Sequence, residues 1–176
     1  MAKNREITSE DAPSSEVPCK TLFKRVEDYI IAADWCYASF EDKGYFSFGL
    51  RMRDGSVQVV VDATEEAGWS RILVYSQLPV FVPSHRRVAV SEALHRINYA
   101  TITGNFIMDV KDGDVRAKAV LESDTFVSDQ MIDCAIRRSL ELAEQHFASI
   151  LAVAFGNIPP DDILEMASRN GATPLQ

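Results

Sequence analysis

Two Asp-Gly dipeptides constrain the fold of this 176-residue chain more than any other feature. One is Asp54-Gly55, the other is Asp112-Gly113, and apolar residues alternate with other residues on both sides of each. This combination is the strongest short-range signal for a β-hairpin with a two-residue turn. Because the strands of a hairpin run antiparallel, we expect an antiparallel sheet.

The position of the first turn predicts which residues pair across its two strands. With Asp54 and Gly55 at the centre of the turn, Met52 is expected to lie opposite Val57. This register puts the large apolar residues of the first strand on one face. A shift by one residue would break that agreement, because neighbouring side chains of a strand point to opposite faces.

The second hairpin repeats the pattern. Its turn places Met108 opposite Ala117 and pairs Asp109 with Arg116, which would be a favourable cross-strand pair of opposite charges. Both hairpins therefore direct their bulky apolar side chains toward one core beneath the helices. The residues expected on this buried face are Phe46, Phe48, Leu50, Phe106 and Met108.

The opposite face of the hairpins is less polar than a face exposed only to water should be. It carries Val60, Ile107 and Val120 among charged and amide side chains. Two explanations are open at this point. Either the chain's own helices cover this face, or it is an interface with another subunit or another protein.

Apolar residues spaced by three and four predict helices along the rest of the chain. The first helix begins between Pro18 and Thr21, and the second begins near Ser84. Ser128 is a suitable N-cap for a long third helix, and Asp161 opens a short fourth one. Two further strands are expected at residues 35–40 and 71–78.

These elements predict an α+β domain with an antiparallel sheet packed against helices, in the order α-β-β-β-β-α-β-β-α-α. The domain is expected to span residues 18–168. Residues 1–17 are polar without an apolar period, which predicts a disordered tail, and residues 169–176 are expected to form a flexible C-terminus.

The sequence contains no motif of a nucleotide-binding loop, a zinc protease or a serine hydrolase. Its cysteines are Cys19, Cys36 and Cys134, an odd number without the C-x-x-C spacing of zinc sites. We expect Cys134 to be a small buried residue of the long helix. The sequence therefore predicts no catalytic residue, no metal and no cofactor.

The net charge of the chain argues against several classes of partner. Lys and Arg number 18 against 26 Asp and Glu, which gives a formal net charge of −8. This balance argues against direct nucleic-acid binding and against attraction to anionic membranes, and it is compatible with a cationic partner.

The N-terminal residues lack the apolar core of a signal peptide, so a cytoplasmic location is expected.

Arg86 and Arg87 form a small basic spot at the start of the second helix. This spot is either a solvated helix face or a place where an acidic segment or a second subunit docks. With Val60, Ile107 and Val120, these arginines are the candidate protein-interface residues.

A series of short motifs follows one another in a characteristic order and spacing. They are Val82-Pro83, Arg86-Arg87, Leu94, Ile97-Asn98, Gly104-x-Phe106, Asp109, Asp112-Gly113-x-Val115 and Ser128. In this order they resemble the YbjN family, bacterial proteins described as sensory-transduction regulators, from about Leu22 to Ala167. The resemblance implies a fold similar to the type III secretion chaperones, which often dimerise, and no established catalytic residues.

The leading hypothesis is a non-catalytic protein-binding module, regulatory or chaperone-like, that forms a homodimer. One alternative is an enzyme with an unrecognised active site around His85, Glu92 and His95. Another is a transcription-linked regulator that acts through a partner rather than by touching DNA.

Overall fold

Helices and strands follow one another in the predicted order within residues 21–169, which are the residues that this computed structural model describes. The predicted tail and most of the predicted flexible C-terminus lie outside the described residues, so these two expectations and the domain boundaries stay predictions. The elements are α1 (Leu22–Ala32), β1 (Tyr37–Phe40), β2 (Tyr45–Met52), β3 (Gly55–Glu66), β4 (Trp69–Phe81), α2 (Arg87–Ala100), β5 (Asn105–Met108), β6 (Asp114–Ser123), α3 (Asp129–Phe155) and α4 (Ile163–Arg169).

The six strands form one sheet in the order β1-β2-β3-β4-β6-β5, and every neighbouring pair is antiparallel. The α+β class and the antiparallel sheet are therefore confirmed. Short 3₁₀ turns precede α2 and α4. Within residues 21–169, no helix combines the length and the apolar character that crossing a bilayer requires.

The long helix α3 begins where the sequence predicts. The hydroxyl of Ser128 accepts a hydrogen bond from the Met131 amide at 3.3 Å, which satisfies one of the amides left unpaired at a helix start. The helix has 27 residues and is thus about 40 Å long. Its C-cap is Gly156, and Pro159 and Pro160 follow before the short α4.

Alternate residues of the strands build the core. On β3 and β4, Val59, Val61, Ile72 and Val74 are completely buried beneath α1 and α3. The predicted core residues are confirmed. Phe46, Phe48 and Phe106 are buried, and Leu50 and Met108 are partly buried against the same cluster.

The predicted register of the first hairpin is wrong by two residues. Met52 lies opposite Gly55 rather than Val57, so Arg53 and Asp54 are the turn residues. Neither has a positive φ, whereas the turn expected for a central Asp-Gly pair requires positive φ at both positions. Gly55 instead follows the central pair, where the commonest turn type favours glycine. Because the displacement is two residues, every side chain stays on its predicted face.

The second hairpin is displaced in the same way, with Met108 opposite Val115 rather than Ala117. The predicted pair of Asp109 and Arg116 is also wrong. Asp109 lies just beyond the end of β5, where its carboxylate accepts a hydrogen bond from a loop amide.

Contacts with the chain before α2 explain why this second connection is a loop and not a tight turn. The Val82 amide donates to the Gly113 carbonyl at 2.9 Å, and a Cβ at Gly113 would collide with the Val82 carbonyl oxygen. Gly113 also has a φ of +87°, which favours glycine. The Arg87 guanidinium donates to three loop carbonyls at 2.9–3.0 Å, those of Val110, Lys111 and Asp112.

Candidate functional site

All four helices pack on one face of the sheet or on one another, and none of them covers the other face in the described part of the chain. We call this other face the open face. The four described helices therefore do not provide the coverage that was one of the two explanations left open by the sequence. The open face comprises the alternate strand residues Ser47, Gln58, Val60, Asp62, Trp69, Arg71, Leu73, Tyr75, Gln77, Phe81, Ile107, Arg116, Lys118, Val120 and Glu122.

An apolar block lies at the centre of the open face. Val60 is opposite Tyr75, and Leu73 is opposite Val120, so the four side chains are neighbours across three strands. Val120 is 49% exposed and the other three are half-buried. Contiguous apolar surface of this kind, rimmed by polar residues, is typical of interaction sites.

A hydrogen-bonded polar cluster borders the apolar block. The Asp114 carboxylate is 4% exposed and accepts from Gln77 Nε2 at 2.9 Å and from Arg116 Nε at 2.5 Å. The Arg116 guanidinium also lies 6.0 Å from the centroid of the Tyr75 ring. These contacts hold Arg116 in one place on the open face, where its side chain is 44% exposed.

The two ends of β4 add exposed aromatic rings to the open face. Trp69 is 54% exposed and Phe81 is 61% exposed. Trp69 and Arg71 line a depression at the β3–β4 turn together with Thr64 and Glu122. The open face therefore has an aromatic residue at each end and in its middle.

The structure brings together three of the five predicted interface residues. Val60, Ile107 and Val120 all lie on the open face. Arg86 and Arg87 lie elsewhere, and both use their guanidinium groups within the chain. Arg87 holds the β5–β6 loop, and Arg86 donates to the Val153 carbonyl near the end of α3.

Sequence reasoning missed the β4 contribution to this face. Residues 71–78 contain consecutive apolar residues, so their alternation between two faces is hard to recognise without the sheet. The register with β3 would have revealed it, because Tyr75 lies opposite Val60.

The residues of the alternative enzyme hypothesis do not form a cleft among the described residues. His85 and His95 are exposed, and Glu92 accepts a hydrogen bond from Arg96 at 2.9 Å. No group of three His, Cys, Asp or Glu side chains suited to a metal ion occurs in residues 21–169. The expectation for Cys134 is wrong, because this residue lies on the exposed side of α3.

The clearest pKa shifts lie on the helical side and have structural causes. The Tyr29 hydroxyl donates to Asp133 at 2.7 Å, and burial raises the pKa of Tyr29 to about 12. Hydrogen bonds from Arg137 and from Tyr29 lower the pKa of Asp133. This contact joins α1 to α3.

His146 on α3 is 5% exposed, and burial lowers its pKa to about 4. Its ring meets the Phe106 ring edge to face at 5.9 Å. Nδ1 has no hydrogen-bond partner among the described residues. His146 is therefore a neutral core residue at physiological pH.

Comparison with known protein families finds relatives of this chain. Residues 23–152, about three quarters of the chain, match the model of a family described as "Putative bacterial sensory transduction regulator". The chain belongs to the YbjN family. The resemblance of its motifs is thereby confirmed, and this family is described as a regulator rather than as a class of enzyme.

A solved structure agrees with this membership. The crystal structure of YbjN from E. coli, described as "a putative transcription regulator", has a TM-score of 0.52 to this chain. The match covers 76% of this chain and 90% of that chain at 14% sequence identity, so it shows a shared fold. No curated protein matches the chain.

Proposed function

We propose that this member of the YbjN family is a non-catalytic regulatory protein that binds another protein through the open face. The observation that carries the proposal is the apolar block of Val60, Leu73, Tyr75 and Val120 on a face that no described helix covers. Transfer of these side chains from water to an interface would provide a driving force for binding.

The composition of the open face supports a protein partner. Residues that dominate the energy of protein interfaces are enriched in Trp, Tyr and Arg, and the open face presents Trp69, Tyr75, Arg71 and Arg116. The depressions beside Trp69 and Arg116 have volumes of about 380 Å³ and about 270 Å³. These volumes lie near or below the lower end of the ~300–1,000 Å³ typical of small-molecule pockets, so a broad protein contact fits better.

A homodimer and a cytoplasmic location, both expected from the sequence, stay predictions. A transcription-linked role, which the description of the E. coli protein suggests, would belong to the bound partner, because a net charge of −8 disfavours direct contact with DNA. A dimer would scatter light as a particle of about twice 19.6 kDa.

Val120→Asp tests the proposal, with Val88→Asp as its matched control. Val88 is 82% exposed on α2, on the other side of the molecule, so the same charge is added away from the open face. Proteins retained from the native host by the full chain are identified, and the main one is purified. Its Kd for both variants is then measured by calorimetry.

We expect Val120→Asp to weaken this Kd by about tenfold or more, because a charge would have to be buried in the interface. Val88→Asp should leave the Kd within about twofold of the unmodified chain. Equal affinities for the two variants would contradict the proposal. Conversion of a dimer to a monomer by Val120→Asp would instead assign the open face to a second copy.

A further inference from the structure

We infer that the protein partner of the open face presents acidic side chains beside apolar ones, and that Arg116 and Lys118 bind them. This inference rests on the proposed function, because it specifies the chemistry of the partner that occupies the same face. It is supported by the fixed position of Arg116, the location of Lys118 and the local balance of charge in an acidic chain.

Arg116 is held by one edge of its guanidinium group. Its Nε donates to Asp114, which Gln77 also binds, and 44% of the side chain remains exposed. No other hydrogen bond of Arg116 occurs among the described residues. A guanidinium group has five N–H donors in a planar fork, so the remaining donors suit a carboxylate.

Lys118 supplies a second cation on the same face. It lies two residues beyond Arg116 on β6 and opposite Tyr75 on β4. Two residues along a strand place the two Cα atoms about 7 Å apart. Lys118 has no ion-pair partner among residues 21–169, so its charge is available to a ligand.

This region does not share the acidity of the whole chain. The net charge is −8, yet the cations Arg71, Arg116 and Lys118 beside the apolar block equal in number the carboxylates Asp62, Asp114 and Glu122 of the same region. A chain of this net charge repels acidic partners at a distance, so an acidic partner would depend on the cations beside the apolar block for its contact with the open face. The apolar block between them favours a protein segment over nucleic acid, because phosphate contacts need no apolar surface.

A selection from a random peptide library displayed on phage tests the inference without knowledge of the partner. The baits are the full chain, Val120→Asp, Lys118→Glu and the double variant Arg116→Gln/Lys118→Glu. Lys43→Glu is the matched control, because it is an exposed lysine outside the open face that undergoes the same change of charge. Gln at position 116 keeps a donor for Asp114, and Lys118→Glu leaves that contact intact, so at least one variant should fold normally.

The full chain and Lys43→Glu should enrich peptides in which Asp or Glu neighbours apolar residues. The best such peptide should bind Lys118→Glu and the double variant about tenfold more weakly or worse, and high salt should reduce the difference. Peptides without acidic residues, or acidic peptides that bind Lys118→Glu and the double variant normally, would overturn the inference.

The baits also separate this inference from the proposed function. If Val120→Asp binds the selected peptides as well as the full chain does, or the full chain enriches no peptide, the proposed function itself fails. If Val120→Asp abolishes binding and Lys118→Glu and the double variant do not, only the acidic partner is wrong. Binding of duplex DNA that requires Lys118 would replace the protein partner with nucleic acid.

Discussion

On β4, Ile72 and Val74 are completely buried beneath the helices, whereas their neighbours Leu73 and Tyr75 are half-buried on the open face. The residues are adjacent in the chain and all are apolar or aromatic, so composition does not distinguish the two faces. The two faces differ in their surroundings, because the side chains of the covered face are enclosed by other atoms of the chain. Burial in the core explains the apolar residues of the covered face, and the proposed binding of a partner would explain those of the open face.

The largest difference between the two faces should appear when one aromatic ring is removed from each. Phe48 is 2% exposed, and the centroid of its ring lies 5.0 Å from that of Trp35. Phe48→Ala should therefore reduce the free energy of unfolding by about 3–5 kcal/mol. Tyr75→Ala on the open face should cost about 1 kcal/mol, as expected for a partly exposed side chain. Urea unfolding measures both, and equal losses would mean that the open face is buried in the free protein.

The faces themselves could be predicted from the sequence although both hairpin registers were wrong. Each register was displaced by two residues, and side chains alternate with a period of two, so Phe48 and Val60 stayed on their predicted faces. The displacement has a local cause in the first hairpin, where Gly55 follows the turn pair instead of belonging to it. In the second, Val82 holds the loop in place.

The candidate site could be predicted only in part, because the sequence does not show on which side of the sheet the helices pack. Val60, Ile107 and Val120 were recognised as apolar residues on a polar face. Tyr75 and its neighbours were missed inside a continuous apolar run. The role of Asp114 could not be predicted either, because the displaced register paired Arg116 with a different aspartate.

The covered side also contains a buried titratable group, His146. We expect its protonation to have the second-largest effect on the free energy of unfolding, after the loss of the Phe48 ring. His146 has a pKa of about 4 in the folded chain against 6.5 as the ordinary value, so the unfolded chain binds the proton more tightly. Its contribution to stability is complete above pH 6.5 and is lost as the pH falls toward 4. The loss should reach roughly 3 kcal/mol, because one pKa unit corresponds to about 1.4 kcal/mol.

His146→Leu separates the contribution of His146 to acid destabilisation from the contributions of other titratable groups. Urea unfolding of the unmodified chain and of the variant is compared at neutral pH and near pH 4.5. Asp133, whose pKa is lowered mainly by Arg137, contributes to both chains and loses its effect at more acidic pH. We expect the variant to lose much less stability than the unmodified chain over this range. Parallel losses in the two chains would show that His146 is not the responsible group.

The smallest effect should come from Val120→Asp, whose cost in the isolated chain we expect to be about 1 kcal/mol or less. Val120 is 49% exposed, so the new carboxylate can remain hydrated, and Lys118 lies two residues away on the same face. Urea unfolding at several protein concentrations measures this cost. A loss of several kcal/mol at every concentration would mean that a part of the same chain covers the open face. A loss that grows with protein concentration would mean that a second copy covers it. A small, concentration-independent loss together with weaker partner binding would show that the apolar block serves recognition and contributes little to folding.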